Sequence, residues 1–234
     1  MSLKLNKEIK LPRKNVSPKI SSSKLQVSEE TLNRLNPFIS LDVNLYNKIL
    51  EIGSYDGKNA LLLSKLFPNS KIKTLDLPSN TNQFKNIYKR NNYETLNKFV
   101  TSRNKLLEDV KNIELLETNS INLIKEEQLY DLIWIDGAHG APIVIIDIVN
   151  ALRLCNPKGL IFCDDVYVKP LQKQDANYYS NASYETLKVL ESEKLIHYDL
   201  FLKRIENKYN YYPKDKKFIA LIKKSELKGE EIET

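Results

Sequence analysis

Glycine is scarce in this chain, six in 234 residues, and so are cysteine with two and tryptophan with one. The two cysteines, Cys155 and Cys163, are too few for a disulfide scaffold and form no metal-type pair. No apolar run approaches the length of a membrane span. The opening stretch MSLKLNKEIKLPRKNVSPK has no apolar core of the kind a secretory signal carries. Together these absences lead to the expectation of a cytoplasmic protein without membrane association. Internal repeats and low-complexity segments are missing as well.

What is present is ordinary for a globular chain: 41% hydrophobic and 28% charged residues, enough for one sizeable core. The formal charge of +6 raises the question of nucleic acid. Much of that excess lies at Lys4, Lys7, Lys10, Arg13, Lys14, Lys19 and Lys24, which describes a solvated basic arm better than a binding groove. Residues 1–30 are therefore expected to form a flexible arm, residues 31–226 a single domain, and residues 227–234 a disordered tail.

From residue 48 onward, short apolar runs alternate with helical patterns. Strands are expected at 48–52, 71–77, 113–117, 129–136 and 159–165, with helices at 59–67, 142–154 and 183–193 and helical material over 81–110. Two closing strands, IHYDLFLKRI and KFIALIKK, have no helix between them. Alternation of this kind implies right-handed crossovers and a mostly parallel sheet covered on both faces. The expected fold is an α/β, Rossmann-like three-layer sandwich with an antiparallel C-terminal hairpin.

Against the general scarcity, ILEIGSYDG (49–57) places two glycines within five residues, directly after an acid. In an open α/β sheet, ligands bind beyond the carboxyl ends of the strands, where this turn would lie. Its Gly-x-x-x-Gly spacing is not the dinucleotide fingerprint. Glu51 disfavours a phosphate and suits a cationic cofactor. Asp76 ends the next strand, placed to accept from ribose hydroxyls; the alternative is a plain turn residue. Asp136, Asp164 and Asp165 would converge on the same rim if their strands are neighbours. Three adjacent carboxylates repel unless a cation joins them, and Mg²⁺ or another divalent ion is the simplest choice. Without a metal, such aspartates cap loops, and Asp136 could bind the cofactor's amino group. His139 is either a general base for a hydroxyl or a loop histidine bonded to backbone. The segment from 166, with Tyr167, Lys169, Lys173, Tyr178 and Tyr179, either closes over an acceptor or simply connects. Trp134 reads as core and His197 as a packing residue.

LEIGSYDG followed by TLDL resembles motifs I and II of class I S-adenosylmethionine-dependent methyltransferases, over about residues 45–223. The resemblance implies that Glu51, Gly53, Ser54, Tyr55, Gly57, Asp76, Leu77, Asn119, Ser120 and Asp136 surround S-adenosylmethionine. ETNSINL matches less well, since Thr118 replaces a glycine. D-G-x-H followed by D-D is similar to metal-dependent small-molecule O-methyltransferases, particularly those acting on sugars. There the counterparts of Asp136, Asp164 and Asp165 hold Mg²⁺, while those of His139 and Asp136 serve catalysis. The expected partner is a small-molecule acceptor, and self-association stays open. A nucleic-acid methyltransferase is a rival, disfavoured because IDGAH stands where amino-methylating DNA enzymes carry a Pro-Pro element. A non-catalytic cofactor-binding module is the other.

Overall fold

A computed structural model of the protein describes residue 38 and residues 41–168, 180–203 and 217–225. The expected basic arm and C-terminal tail lie outside the described residues, as do Lys169, Lys173, Tyr178 and Tyr179.

The alternation read from the sequence becomes seven strands: β1 (Lys48–Ile52), β2 (Lys71–Asp76), β3 (Ile113–Glu117), β4 (Tyr130–Ile135), β5 (Cys155–Tyr167), β6 (Ile196–Leu202) and β7 (Lys217–Lys224). The helices are α1 (Lys58–Leu66), α2 (Asn82–Ile87), α3 (Tyr93–Leu107), α4 (Ile143–Leu154) and α5 (Ala182–Ser192). The helical stretch expected over 81–110 divides into α2 and α3. Lys89 turns left-handed, and Asn92 accepts hydrogen bonds from the main-chain N–H groups of Glu94 and Thr95, so a new helix starts there. β5 is longer than expected because Cys155 already pairs with Tyr130, ahead of an irregularity in the ladder.

The strand order is β3-β2-β1-β4-β5-β7-β6. The first five strands pair in parallel, and β7 and β6 add as an antiparallel hairpin. The chain reverses its direction of travel across the sheet between β1 and β4, which opens a crevice at their carboxyl ends. Successive side chains leave a strand on opposite faces, and here both faces are covered. Leu50, Ile52, Ile133, Ile135 and Ile161 pack towards α4 and α5. Ile49, Leu132, Trp134 and Phe162 pack on the other face with Leu63, Phe67 and Phe38. Trp134 is fully buried, as expected, its ring 5.4 Å from that of Phe38 and 5.8 Å from that of Phe162. Cys155 and Cys163 are free, buried thiols. His197 departs from expectation: it is exposed on β6, the outermost strand, where one face of the ladder meets water. No helix among the described residues is long and apolar enough to cross a membrane.

Glu126 fastens the return from β3 to β4. Its carboxylate accepts from Lys73 of β2 at 2.8 Å and from the N–H groups of Glu127 and Gln128, while its carbonyl accepts from Arg153 of α4. The Lys73 ammonium beside it holds the Glu126 pKa down to about 2. A depressed carboxyl pKa adds stability above the ordinary value of 4.5, and that stability is lost as pH falls towards 2. The pair is partly solvated, so its contribution is about 1 kcal/mol. Glu126→Gln is therefore expected to lower the melting temperature at pH 7, with the gap to wild type shrinking below pH 4.5 in calorimetric scans. A gap independent of pH would assign the loss to something other than charge.

Candidate active site

The crevice at the switch point is a cavity of about 560 Å³. β1 and its turn contribute Gly53, Ser54 and Tyr55; β2 contributes Asp76 and Leu77; the segment after β3 contributes Asn119 and Ser120. The far wall is Asp136 and His139 after β4, with Asp165 of β5. The structure thus gathers eight of the ten residues expected around the cofactor into one concavity, with the expected base beside them.

Glu51 and Gly57 are the two that do not line it. Glu51 is fully buried beneath the turn, where it accepts from Asn59 Nδ2 at 2.7 Å and from the Thr74 hydroxyl. Its charge braces the loop from behind. Gly57 stands in the left-handed region and begins α1; a Cβ there would press on Leu107 of α3 at 3.2 Å. It seats the helix. Gly53 carries the closest approach. Its φ is +100°, and an added Cβ would lie 2.2 Å from the Asp136 carbonyl oxygen. Only a residue without a side chain lets β1 and β4 meet so closely at the rim.

Asp76 is buried and already engaged. Its Oδ2 accepts from the Tyr55 N–H at 2.7 Å, its Oδ1 from the Leu77 N–H at 2.7 Å, and the Tyr88 hydroxyl lies 3.0 Å from both oxygens. Burial raises its pKa and these donors oppose the rise. Tyr55 is itself left-handed, and its ring packs on Tyr88 and Phe99 at 5.1 and 5.2 Å. Tyr88 escaped sequence reading because it lies in polar helical material with no motif. Asp147 escaped as well, although an acid inside the apolar run IVIIDIVNAL was a usable signal. It is fully buried in α4 under Gly137, and burial, partly offset by the Ser120 hydroxyl, pushes its pKa up to about 6.

The second acidic cluster is arranged differently from expectation. β5 pairs Cys163 with Ala220 and Val166 with Phe218, so β5 holds one extra residue at Asp164–Asp165. Asp165 is left-handed there, with φ +53°. A bulge of this kind breaks the alternation of faces and re-aims side chains. Both carboxylates consequently reach one ammonium: Lys203 Nζ lies 2.8 Å from Asp164 Oδ2 and 2.6 Å from Asp165 Oδ1. Lys217 Nζ lies 2.7 Å from Asp165 Oδ2, and His139 Nε2 lies 3.7 Å from the same oxygen. Burial would raise the Asp165 pKa, but Lys203 and Lys217 hold it well below the carboxylate range. Burial draws His139 below its ordinary value of 6.5 against the pull of Asp165, which leaves the imidazole neutral at pH 7. A divalent ion at Asp136, Asp164 and Asp165 does not fit these residues, because two ammonium groups already bond two of the three carboxylates, those of Asp164 and Asp165. Among the described residues no group of three His, Cys, Asp or Glu is disposed to hold a metal. A sulfonium nucleoside fits better: Gly53 and the buried Asp76 line the same cavity.

A family profile described as "Methyltransferase domain" matches residues 50–166, half of the chain. No curated protein matches the sequence. Solved structures do. One is the O-methyltransferase TomG of Streptomyces achromogenes, involved in tomaymycin synthesis and bound to SAM, at 14% identity with TM-score 0.54 over 84% of this chain and 79% of that one. Another is a precorrin-6y C5,15-methyltransferase of Geobacter metallireducens, at 15% identity and TM-score 0.55 over 87% and 92%. A third is the SAH-bound methyltransferase PaMTH1 of Podospora anserina, at 18% identity and TM-score 0.50 over 77% and 73%. At such identities the likeness is one of fold.

Gly53→Ala is expected to abolish the heat of S-adenosylhomocysteine binding and to lower the melting temperature by roughly 5–10 °C, the scale of a few kcal/mol in a domain of this size. Binding at wild-type strength would mean that β1 and β4 need not meet closely.

Proposed function

The chain belongs to the methyltransferase-domain family as an S-adenosylmethionine-dependent methyltransferase, and we propose that it methylates an oxygen on a small acceptor with His139 as base. The observation that carries this reading is the position of His139: an imidazole on the wall of the cofactor cavity, its Nε2 3.7 Å from the Asp165 carboxylate. The volume of the cavity is in the range of small-molecule sites. The likeness to TomG supports oxygen as the receiving atom. The D-G-x-H and D-D motifs suggest a hydroxylated acceptor such as a sugar or other diol.

In this reading Asp76 and Leu77 hold the ribose, Asn119 and Ser120 the adenine, and Gly53, Ser54, Tyr55 and Asp136 the methionine end. S-adenosylmethionine, when bound, supplies a methyl group on a sulfonium that leaves as a neutral thioether. His139 takes the hydroxyl proton on Nδ1, since Nε2 is the nitrogen that faces Asp165, as the acceptor oxygen forms its bond to the methyl carbon. Asp165 stabilises the imidazolium that results and keeps the ring oriented. Asp136 orients the acceptor at the rim. The remaining rate gain is positioning: reacting atoms kept close and in line. Magnesium has no step here, since Lys203 and Lys217 already satisfy the acidic pair.

His139→Ala is expected to leave S-adenosylhomocysteine affinity unchanged in calorimetry while lowering turnover by roughly 10²–10⁴-fold on an acceptor found by screening hydroxylated compounds. The neutral imidazole is the active form, and its pKa is depressed. Wild-type turnover should therefore rise with pH through a midpoint below 6.5. Full turnover in the alanine variant would assign the base elsewhere, and absence of S-adenosylhomocysteine binding would defeat the whole reading.

A further inference from the structure

We propose that Lys203 and Lys217 stand in place of a divalent cation at the acidic pair, so that this rim is built to brace the base without metal. The inference rests on the methyltransferase reading for the chemistry it serves, but its ion balance is a property of the folded chain alone.

The antiparallel hairpin makes the substitution geometrically direct. β7 runs against β5, so it starts at the rim where β5 ends, and Lys217 pairs with Tyr167. β6 runs back towards the same rim, and Lys203, just past its last residue, donates its N–H to the Lys217 carbonyl at 3.0 Å. The two lysines thus come from the end of the hairpin at which the chain passes from β6 to β7, and approach the bulge of β5 together. Lys203 is only 3% exposed at its side chain, Asp164 is fully enclosed and Asp165 is 13% exposed. Charges so enclosed persist only when paired.

Two ammonium groups carry the charge of one divalent ion and meet the same oxygens. Lys203 bridges Asp164 Oδ2 and Asp165 Oδ1, which is how a bridging cation would join two neighbouring carboxylates. Lys217 bonds Asp165 Oδ2, the oxygen that also faces His139. Magnesium prefers carboxylate oxygens at about 2.0–2.1 Å in near-octahedral geometry. An ion joining these oxygens as Lys203 does would have to displace its ammonium group. The lysines therefore do two things: they neutralise the pair, and they fix Asp165 in the orientation that places Oδ2 against the imidazole. They are positioning residues, acting on His139 through Asp165.

The test is Mn²⁺ titration of the full-length protein, followed by the electron paramagnetic resonance of the free ion, with S-adenosylhomocysteine affinity measured on the same sample. Wild type is expected to leave Mn²⁺ free at hundred-micromolar concentration; stoichiometric binding there at micromolar affinity would overturn the inference. Lys217→Met and the double variant Lys203→Met/Lys217→Met are expected to bind Mn²⁺ at least tenfold more tightly than wild type. Lys203→Arg, which keeps the charge, should exclude the ion as wild type does. The single variant alters the more exposed lysine and guards against loss of fold in the double one. If folded variants gain no Mn²⁺ binding, or Lys203→Arg gains as much as the methionine variants, the inference is wrong. Failure of S-adenosylhomocysteine to bind would count against the methyltransferase reading and would leave the Mn²⁺ results to decide this one.

Discussion

The close approach of β1 to β4 at Gly53 governs the site. The Gly53 N–H donates to Leu75 of β2 at 2.9 Å, while its Cα faces the Asp136 carbonyl so tightly that no side chain could stand between them. Three strand ends are drawn together at one residue. The turn that follows can then deliver the Tyr55 N–H to Asp76, and the segment leaving β4 can bring His139 over the cavity. Beneath, Glu51 ties β1 to β2 and α1 through Thr74 and Asn59, so the turn rests on a hydrogen-bonded floor.

Much of this was readable in the sequence because its causes are local. Period-two burial on both faces of short strands gives continuous apolar runs, and LYDLIWID and GLIFCDD became β4 and the rim portion of β5. A glycine pair in a chain so poor in glycine marked the one turn with unusual backbone demands. The sequence motifs also put Asp76, Asp136 and His139 on one rim, and the three line one cavity.

What was not readable depends on register and facing. Glu51 alternates with Leu50 and Ile52, so its side chain lies under the turn against Asn59 and Thr74 and does not line the cavity, a consequence of strand phase that the motif alone does not convey. Lys203 and Lys217 sit at strand ends where lysine ordinarily reads as a solvated cap. Only the antiparallel pairing of β7 with β5, and the extra residue at Asp164–Asp165, bring them onto the carboxylates. The inference of a divalent ion from three converging acids was sound electrostatics with an incomplete list of cations. His197 was misread for a related reason, since burial on an outermost strand is decided by which face the sheet leaves open.

The phenol of Tyr88 on Asp76 carries a consequence for how the cavity fills. This carboxylate is no orphan: besides the Tyr55 and Leu77 N–H groups, an aromatic hydroxyl supplies a donor of the kind a sugar would bring. Under the proposed ribose role of Asp76, arrival of a ribose is an exchange of one donor set for another, with little net change in hydrogen bonding. Affinity under such an exchange would come from what the sugar adds beyond a single hydroxyl, which on the proposed reading favours a nucleoside with both its 2′ and 3′ oxygens over a deoxygenated one.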